Sequence, residues 1–167
     1  IGICDTALAF CNSFYPVAAI YVLIVAAASF MGLKKPLLAR RHFMIAWETA
    51  KHDGFIKLFG IHHNLLQGLT EQCLKTDYPE DYKKIMKVVK EFNDGWYRLH
   101  KPDEHDYSHT LSPLEISIAM LYNRDWGTKE IAVHLNISES SVKNHIKHIY
   151  QKLCINKKID LQNYLKR

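Results

Sequence analysis

The chain has 167 residues, room for one or two domains, and its 48% hydrophobic and 23% charged content is typical of an ordinary soluble protein. Its four cysteines are scattered without a C-x-x-C pair, which argues against a zinc site or a disulfide scaffold and favours reduced thiols in a cytosol. The formal net charge is +5. Residues 111–167 hold nine Lys or Arg against five Asp or Glu, whereas residues 1–110 are nearly neutral. The positive excess therefore lies towards the carboxyl terminus, as phosphate binding would require.

The first apolar segment runs from Tyr15 to Leu33, and no charged residue occurs between Thr6 and Leu33. By length, this segment could cross a membrane as a helix. Pro16 near its start, several small Ala and Ser residues and an amphipathic segment at 36–52 instead favour a helix buried against a second helix. We therefore expect a helix packed within the protein and no membrane partner.

Apolar residues recur at helical spacing through much of residues 1–100. The pattern predicts helices separated by short turns, at Ile3–Phe14, Val17–Met31, Pro36–Lys51, Phe55–Lys75 and Glu80–Leu99. Helices paired in this way resemble tetratricopeptide-like repeats, with a degenerate consensus. The resemblance implies a helical-repeat region over residues 1–100.

Residues 101–110 are polar, with a proline near their start, and we interpret them as a linker. His105 and His109 with Asp103 and Asp106 raise a cation-site hypothesis, but their spacing matches no known zinc type and a solvated linker is favoured. No Ser/His/Asp or Cys/His set stands at a readable catalytic spacing in the chain. We therefore expect no enzyme activity, no metal and no cofactor.

Residues 112–153 carry the signals of a helix-turn-helix. The sequence Ser-Pro-Leu-Glu at 112–115 is a capping box with Pro at the first helical position, so a helix begins there, with Ile118, Leu121 and Tyr122 facing inward. A short helix follows, and a tight turn is predicted at 136–137. A second helix begins at Ser138, whose hydroxyl can accept from an orphan backbone N–H. The apolar face of the short helix consists of Ile131, Ala132 and Leu135.

The second helix has two different faces. One is an apolar stripe of Val142, Ile146, Ile149 and Leu153. The opposite face can donate hydrogen bonds or carries positive charge, and it comprises Ser140, Lys143, Asn144, Lys147, His148 and Gln151. Glu139 stands at its start, and no acid follows through Lys152. A solvated face normally mixes acids with bases, so this face, after a helix and a turn, favours a nucleic-acid partner.

Five short motifs stand at a fixed spacing in residues 111–153. They are Leu-Ser-Pro-Leu-Glu at 111–115, Glu-Ile-Ala at 130–132, Leu-Asn-Ile-Ser at 135–138, Ser-Val-Lys-Asn-His at 141–145 and Lys-Leu at 152–153. With them, residues 111–165 resemble the LuxR-type (GerE-like) DNA-binding domain of bacterial transcription regulators. The chain departs from the family at Leu114, which replaces an Arg, and at Asp125 and Cys154, which replace turn glycines. Asp tolerates the left-handed conformation less easily than Gly does, and Cys is less comfortable there.

The segment from Ala39 to Phe55 also resembles the region that precedes this domain in large MalT-like regulators. Those proteins carry an ATP-binding module upstream. No G-x-x-x-x-G-K-[ST] motif occurs in this sequence, so such a module is not expected within it. Because the chain begins with Ile1 rather than Met, we expect a fragment of a longer regulator.

The family resemblance implies roles for individual residues. Lys143, Asn144 and Lys147 face the DNA groove in this interpretation. The residues expected near phosphates are Thr128, Lys129, Ser138, Ser140 and Ser141, to which His148 is added because it lies close to the groove face. The last helix often forms the dimer contact in the family, which makes Leu161, Tyr164 and Leu165 dimerisation candidates. The alternative is that these three residues pack on the core of their own domain.

We therefore expect an all-α protein with tetratricopeptide-like helical hairpins at 1–100, a linker at 101–110 and a four-helix LuxR-type helix-turn-helix domain at 111–167. The expected function is sequence-specific binding of double-stranded DNA in the cytoplasm and regulation of bacterial transcription. A homodimer and a contact with RNA polymerase are further partners in this hypothesis. Two alternatives stay open: a σ-factor-like promoter-binding module, and a protein-interaction scaffold whose helix-turn-helix does not bind DNA.

Overall fold

The computed structural model describes Gly2, residues 15–100 and residues 111–165, with the backbone alone for 96–100. These residues contain ten helices and no strand, which confirms the all-α class. The helices are α1 (Pro16–Gly32), α2 (Pro36–Lys51), α3 (Lys57–Ile61), α4 (His63–Leu66), α5 (Leu69–Leu74), α6 (Pro79–His100), α7 (Pro113–Asn123), α8 (Thr128–Leu135), α9 (Glu139–Lys152) and α10 (Lys158–Leu165). The predicted helix Ile3–Phe14 lies outside the described residues.

The chain divides into two compact units, residues 1–89 and residues 90–167. The division falls within α6. The predicted domain boundaries at residues 100 and 111 stay a prediction, since the linker and the histidines that it contains lie outside the described residues. The first unit is built around α1 to α5, and the second around α7 to α10.

Helices α1 and α2 pack closely against each other in the first unit. Each begins with a proline at its first turn, where a missing N–H removes no helical hydrogen bond. Small side chains allow the close approach, while Phe43 and Trp47 are fully buried. The predicted pairing of the apolar segment with an amphipathic helix is therefore confirmed. No helix in the described part of the chain is long and apolar enough to cross a membrane. The buried alanines are Ala19, Ala26 and Ala27 of α1 and Ala39, Ala46 and Ala50 of α2.

The prediction of a single helix over Phe55–Lys75 is wrong, because the three short helices α3, α4 and α5 occupy this segment. Gln67 and Gly68 have φ angles of 49° and 86°, and this left-handed conformation interrupts an α-helix. Apolar residues keep a helical spacing across the interruption, so the spacing predicts one continuous helix where the structure has three. The regular repeat predicted for this region stays a prediction.

A buried polar pair joins α4 to α5 across this left-handed turn. His63 Nε2 and Glu71 Oε1 lie 2.7 Å apart, and the two residues are 1% and 9% exposed. The other polar atoms of these side chains, His63 Nδ1 and Glu71 Oε2, are buried without a hydrogen-bond partner among the described residues. Each side chain therefore depends on the other for its polar contact.

We expect His63→Leu to destabilise the first unit by about 3 kcal/mol, because it leaves the buried Glu71 carboxylate unpaired. Urea unfolding followed by circular dichroism measures the loss. The double variant His63→Leu/Glu71→Leu is the control, and it should recover most of the stability because both polar groups are then absent. Equal losses in the single and double variants would show that packing volume, and not the pair, carries the effect.

Candidate nucleic-acid interface

The second unit is anchored at the start of α7 by the predicted capping box, which the structure confirms. Ser112 Oγ accepts from the Glu115 N–H at 3.3 Å, and the Ser112 N–H donates to Glu115 Oε2 at 2.7 Å. Lys152 Nζ also donates to Glu115 Oε2, at 2.7 Å. Burial opposes the ionisation of Glu115, but the hydrogen bonds from Lys152 and Ser112 outweigh it, so the pKa of this carboxyl is lowered. The last turn of α9 is thereby tied to the first turn of α7.

Helices α7, α8 and α9 all end in the same way, on a residue other than glycine in the left-handed conformation. These residues are Asp125, Asn136 and Cys154, with φ of 60°, 53° and 53°. In each case two backbone N–H groups after the helix donate back to carbonyls of its last turn, at 3.0–3.4 Å, which is the Schellman arrangement. Asp125 and Cys154 are the positions where the sequence departs from the family glycines.

The turn between α8 and α9 has three residues, Asn136 to Ser138. Asn136 reverses the chain, and Ser138 caps α9 by accepting from the Ser141 N–H at 3.1 Å. The predicted turn and N-cap are therefore confirmed. The predicted apolar residues of both helices form the core, with Ile146 half-buried and the others buried, namely Ile131, Ala132, Leu135, Val142, Ile149 and Leu153.

The opposite face of α9 points into solvent, as predicted. Its members are all exposed, and they are Ser140, Lys143, Asn144, Lys147, His148 and Gln151. Lys143, Lys147, Tyr150, Gln151 and Cys154 contribute to the lining of one shallow concave surface along this face. The face thus offers ammonium groups, amides and an imidazole that can donate hydrogen bonds to a neighbouring molecule.

The residues predicted near phosphates lie around the amino-terminal end of α9 and on α8. Lys129 is exposed and Thr128 is half-buried at the start of α8. Three hydroxyls form a cluster, since Ser138 Oγ lies 2.9 Å from Ser140 Oγ and 2.8 Å from Ser141 Oγ. His148 lies further along α9, away from this cluster.

Sequence reasoning missed the role of Glu139, the single acid of α9. Its Oε1 accepts from Lys143 Nζ at 2.8 Å and from Thr128 Oγ1 at 2.9 Å. Hydrogen bonds from Lys143 and then from Thr128 lower the pKa of this carboxyl. The four-residue spacing of Glu139 and Lys143 is a known helical ion-pair signal, so the ion pair between them could have been predicted from the sequence. The hydrogen bond from Thr128 joins two different helices, so it could not have been predicted from helical spacing.

The dimerisation candidates are in α10, which packs on α7. Leu161 is 1% exposed, so its side chain belongs to the core of this domain, in agreement with the alternative interpretation. Tyr164 and Leu165 are half-buried, and their part in a dimer stays a prediction.

Four helices, a three-residue turn between the second and third, and an exposed basic face on the third define a helix-turn-helix domain. Comparison with known families finds that residues 109–165 match the model described as bacterial regulatory proteins, luxR family. This stretch is about a third of the 167 residues, and it forms a LuxR-type helix-turn-helix domain. Comparisons with curated proteins and with solved structures find no match. The resemblance of the preceding region to MalT-like regulators stays a prediction.

We expect Cys154→Gly to stabilise the second unit by about 1 kcal/mol, because glycine adopts the left-handed conformation without the strain that a Cβ adds. The side chain is exposed, so its removal opens no cavity. Thermal unfolding of the wild type and the variant measures the gain. Cys154→Ala is the matched control, since it removes the thiol and keeps the Cβ. An equal gain in the alanine variant would contradict the backbone explanation.

Proposed function

We propose that the LuxR-type domain binds double-stranded DNA through the exposed face of α9, and that the chain regulates bacterial transcription in a sequence-specific manner. The observation that carries the proposal is the character of this face. Lys143 and Lys147 are exposed along it, and no acid follows Glu139 before the helix ends. The family match to bacterial regulatory proteins supports the same function.

In this proposal α9 lies in the major groove, which admits one α-helix and displays a distinct pattern of donors and acceptors for each base pair. Lys143 and Lys147 can donate to guanine O6 and N7, and Asn144 can form the two-bond contact with adenine. All three side chains are exposed on the same side of the helix. They are our candidates for reading bases.

The phosphates are assigned to the region where α8 and α9 begin. A helix amino terminus carries unsatisfied N–H groups and a partial positive charge, both of which favour an anion. The hydroxyl cluster of Ser138, Ser140 and Ser141 adds donors at this end of α9. Lys129 supplies an exposed charge, Thr128 stands beside it, and His148 reaches a second phosphate further along the helix.

Glu139 sets a condition on this binding mode. Its carboxylate holds Lys143 at 2.8 Å and carries a negative charge beside the proposed phosphate contacts. When DNA binds, Lys143 has to exchange this carboxylate for a base edge. Glu139 therefore weakens binding to every DNA sequence while helping to hold α9 against α8 through Thr128.

The variant Lys143→Ala/Lys147→Ala should lose most of its affinity for DNA, and the dependence of its binding on salt should become shallower, because fewer counterions are released. Fluorescence anisotropy of the whole chain on random duplex DNA across a salt series measures both quantities. Lys83→Ala/Lys84→Ala on α6 is the matched control. It removes the same charge from two exposed lysines, each of which pairs with an acid as Lys143 does, and it should bind as the wild type does.

Equal loss in both double variants would reduce the result to net charge and contradict the assignment to α9. Wild-type protein that shows no salt-dependent binding would instead favour the scaffold function. One observation supports that second candidate: α2 exposes large apolar side chains, with Leu37 at 83% and Ile45 at 44%, and such residues suit a protein partner.

A second variant tests Glu139. We expect Glu139→Gln to bind DNA several-fold more tightly at low salt, because it removes a charge that repels phosphate and releases Lys143. Glutamine still accepts from Thr128, so α9 keeps its contact with α8. The control is Glu80→Gln, which breaks a similar exposed pair with Lys83 on α6 and makes the same change in net charge. Tighter binding by the control to the same extent would remove the specific role of Glu139.

The remaining parts of the proposal concern partners and location. A homodimer that uses Tyr164 and Leu165, a contact with RNA polymerase and a cytoplasmic location are the setting in which such a domain would act. Sedimentation of the chain with and without DNA reports the dimer. Co-purification with RNA polymerase in the absence of DNA would favour the σ-factor-like alternative.

A further inference from the structure

Three side chains with metal-binding chemistry converge at the flank of α9 that borders α7, away from the hydroxyl cluster at its start. They are Glu115 from α7 and His145 and His148 from α9, and one ligand atom from each lies within 4.8 Å of the others. The two histidines are three residues apart, a spacing that places them on one side of a helix. The carboxylate comes from a different helix, thirty residues earlier in the sequence, so tertiary packing alone brings the set together.

The three side chains differ in their exposure to solvent. Glu115 is 4% exposed, His145 is half-buried and His148 is exposed. The cluster is therefore open to solvent on one side, as a site that exchanges an ion must be. Nδ1 of His145 is buried and has no hydrogen-bond partner among the described residues. A buried ring nitrogen without a partner is costly, and a bound cation would satisfy an imidazole at this position.

We propose that Glu115, His145 and His148 form a binding site for a first-row transition cation of the Zn²⁺ type. Two imidazoles and one carboxylate are a donor set that suits zinc and its neighbours, and solvent supplies the fourth position of a tetrahedral ion. Ca²⁺ and Mg²⁺ prefer oxygen ligands and are not expected to compete.

The distances require one adjustment. Ligand atoms held at about 2.1 Å from a tetrahedral zinc ion lie about 3.4 Å from one another. Because the ligand atoms lie within 4.8 Å of one another, each separation has to shorten by at most about 1.4 Å. His148 can supply this movement because its exposed ring changes rotamer without disturbing the core.

Lys152 is the competitor for this site. Its Nζ donates to Glu115 Oε2 at 2.7 Å, and a positive charge at this distance opposes a second cation. The Lys152 side chain is 40% exposed, so it can turn into solvent when an ion binds. Glu115 then has two alternative cationic partners, both of which join α9 to the start of α7. The bound ion would replace the ammonium group as the link between these helices.

The test uses the whole chain, purified without a histidine tag, in a titration with Co²⁺ followed by the visible absorption of four-coordinate cobalt. We expect stoichiometric binding at the site and displacement of the cobalt by Zn²⁺. His148→Gln and His145→Gln should each weaken binding at least tenfold. Lys152→Gln should bind several-fold more tightly, because it removes the competing charge and leaves all three ligands in place.

The control variant is His105→Asn/His109→Asn, which removes the other histidine pair that raised a cation hypothesis and should leave cobalt binding unchanged. Circular dichroism verifies that each variant is folded, and His148→Gln alters an exposed side chain, so folding does not obscure its result. Two outcomes overturn the proposal: binding that survives in both His145→Gln and His148→Gln, or binding that is lost only in the control. Failure of the domain to bind DNA leaves this titration unaffected.

Discussion

The geometry of the helix-turn-helix domain depends on one backbone conformation used repeatedly. Each of α7, α8 and α9 ends on a left-handed residue that directs two N–H groups back to the carbonyls of the final turn. These residues are Asp125, Asn136 and Cys154, and none is glycine. Lys34 ends α1 of the first unit in the same way, with φ of 54°. The chain reverses sharply at each point, and the angle between consecutive helices follows from these reversals and from the packing of their apolar faces.

Each end of α9 is also held to a neighbouring helix by a contact that includes a carboxylate. At its start, Glu139 links Lys143 to Thr128 of α8. At its end, Lys152 reaches Glu115 in the first turn of α7. These contacts fix the exposed face without using Asn144, Lys147 or His148. The helix is therefore held in place while most of the side chains proposed to contact DNA stay in solvent. Lys143 and Thr128 are proposed to contact DNA and also take part in holding the helix.

The first unit is held together by different contacts. Close packing of alanines joins α1 to α2, and larger side chains fill the remaining space. Beyond this hairpin the helices become short, and a buried pair of His63 and Glu71 holds two of them across a turn. Such a pair stabilises little relative to apolar residues but penalises strongly any arrangement that separates its members. We therefore expect the pair to favour one arrangement of α4 and α5 over others.

Features that depend on neighbouring residues could be predicted from the sequence. The capping box at Ser112, the N-cap at Ser138, the apolar stripe of α9 and its polar opposite face follow from local hydrogen bonding and helical period. Tertiary structure alone decided the break at Gln67 and Gly68, the pairing of His63 with Glu71 and the burial of Leu161. It also brought Glu115 to His145 and His148. These features join residues that are distant in the sequence or depend on a backbone angle that several residue types can adopt, and helical periodicity carries no information about either.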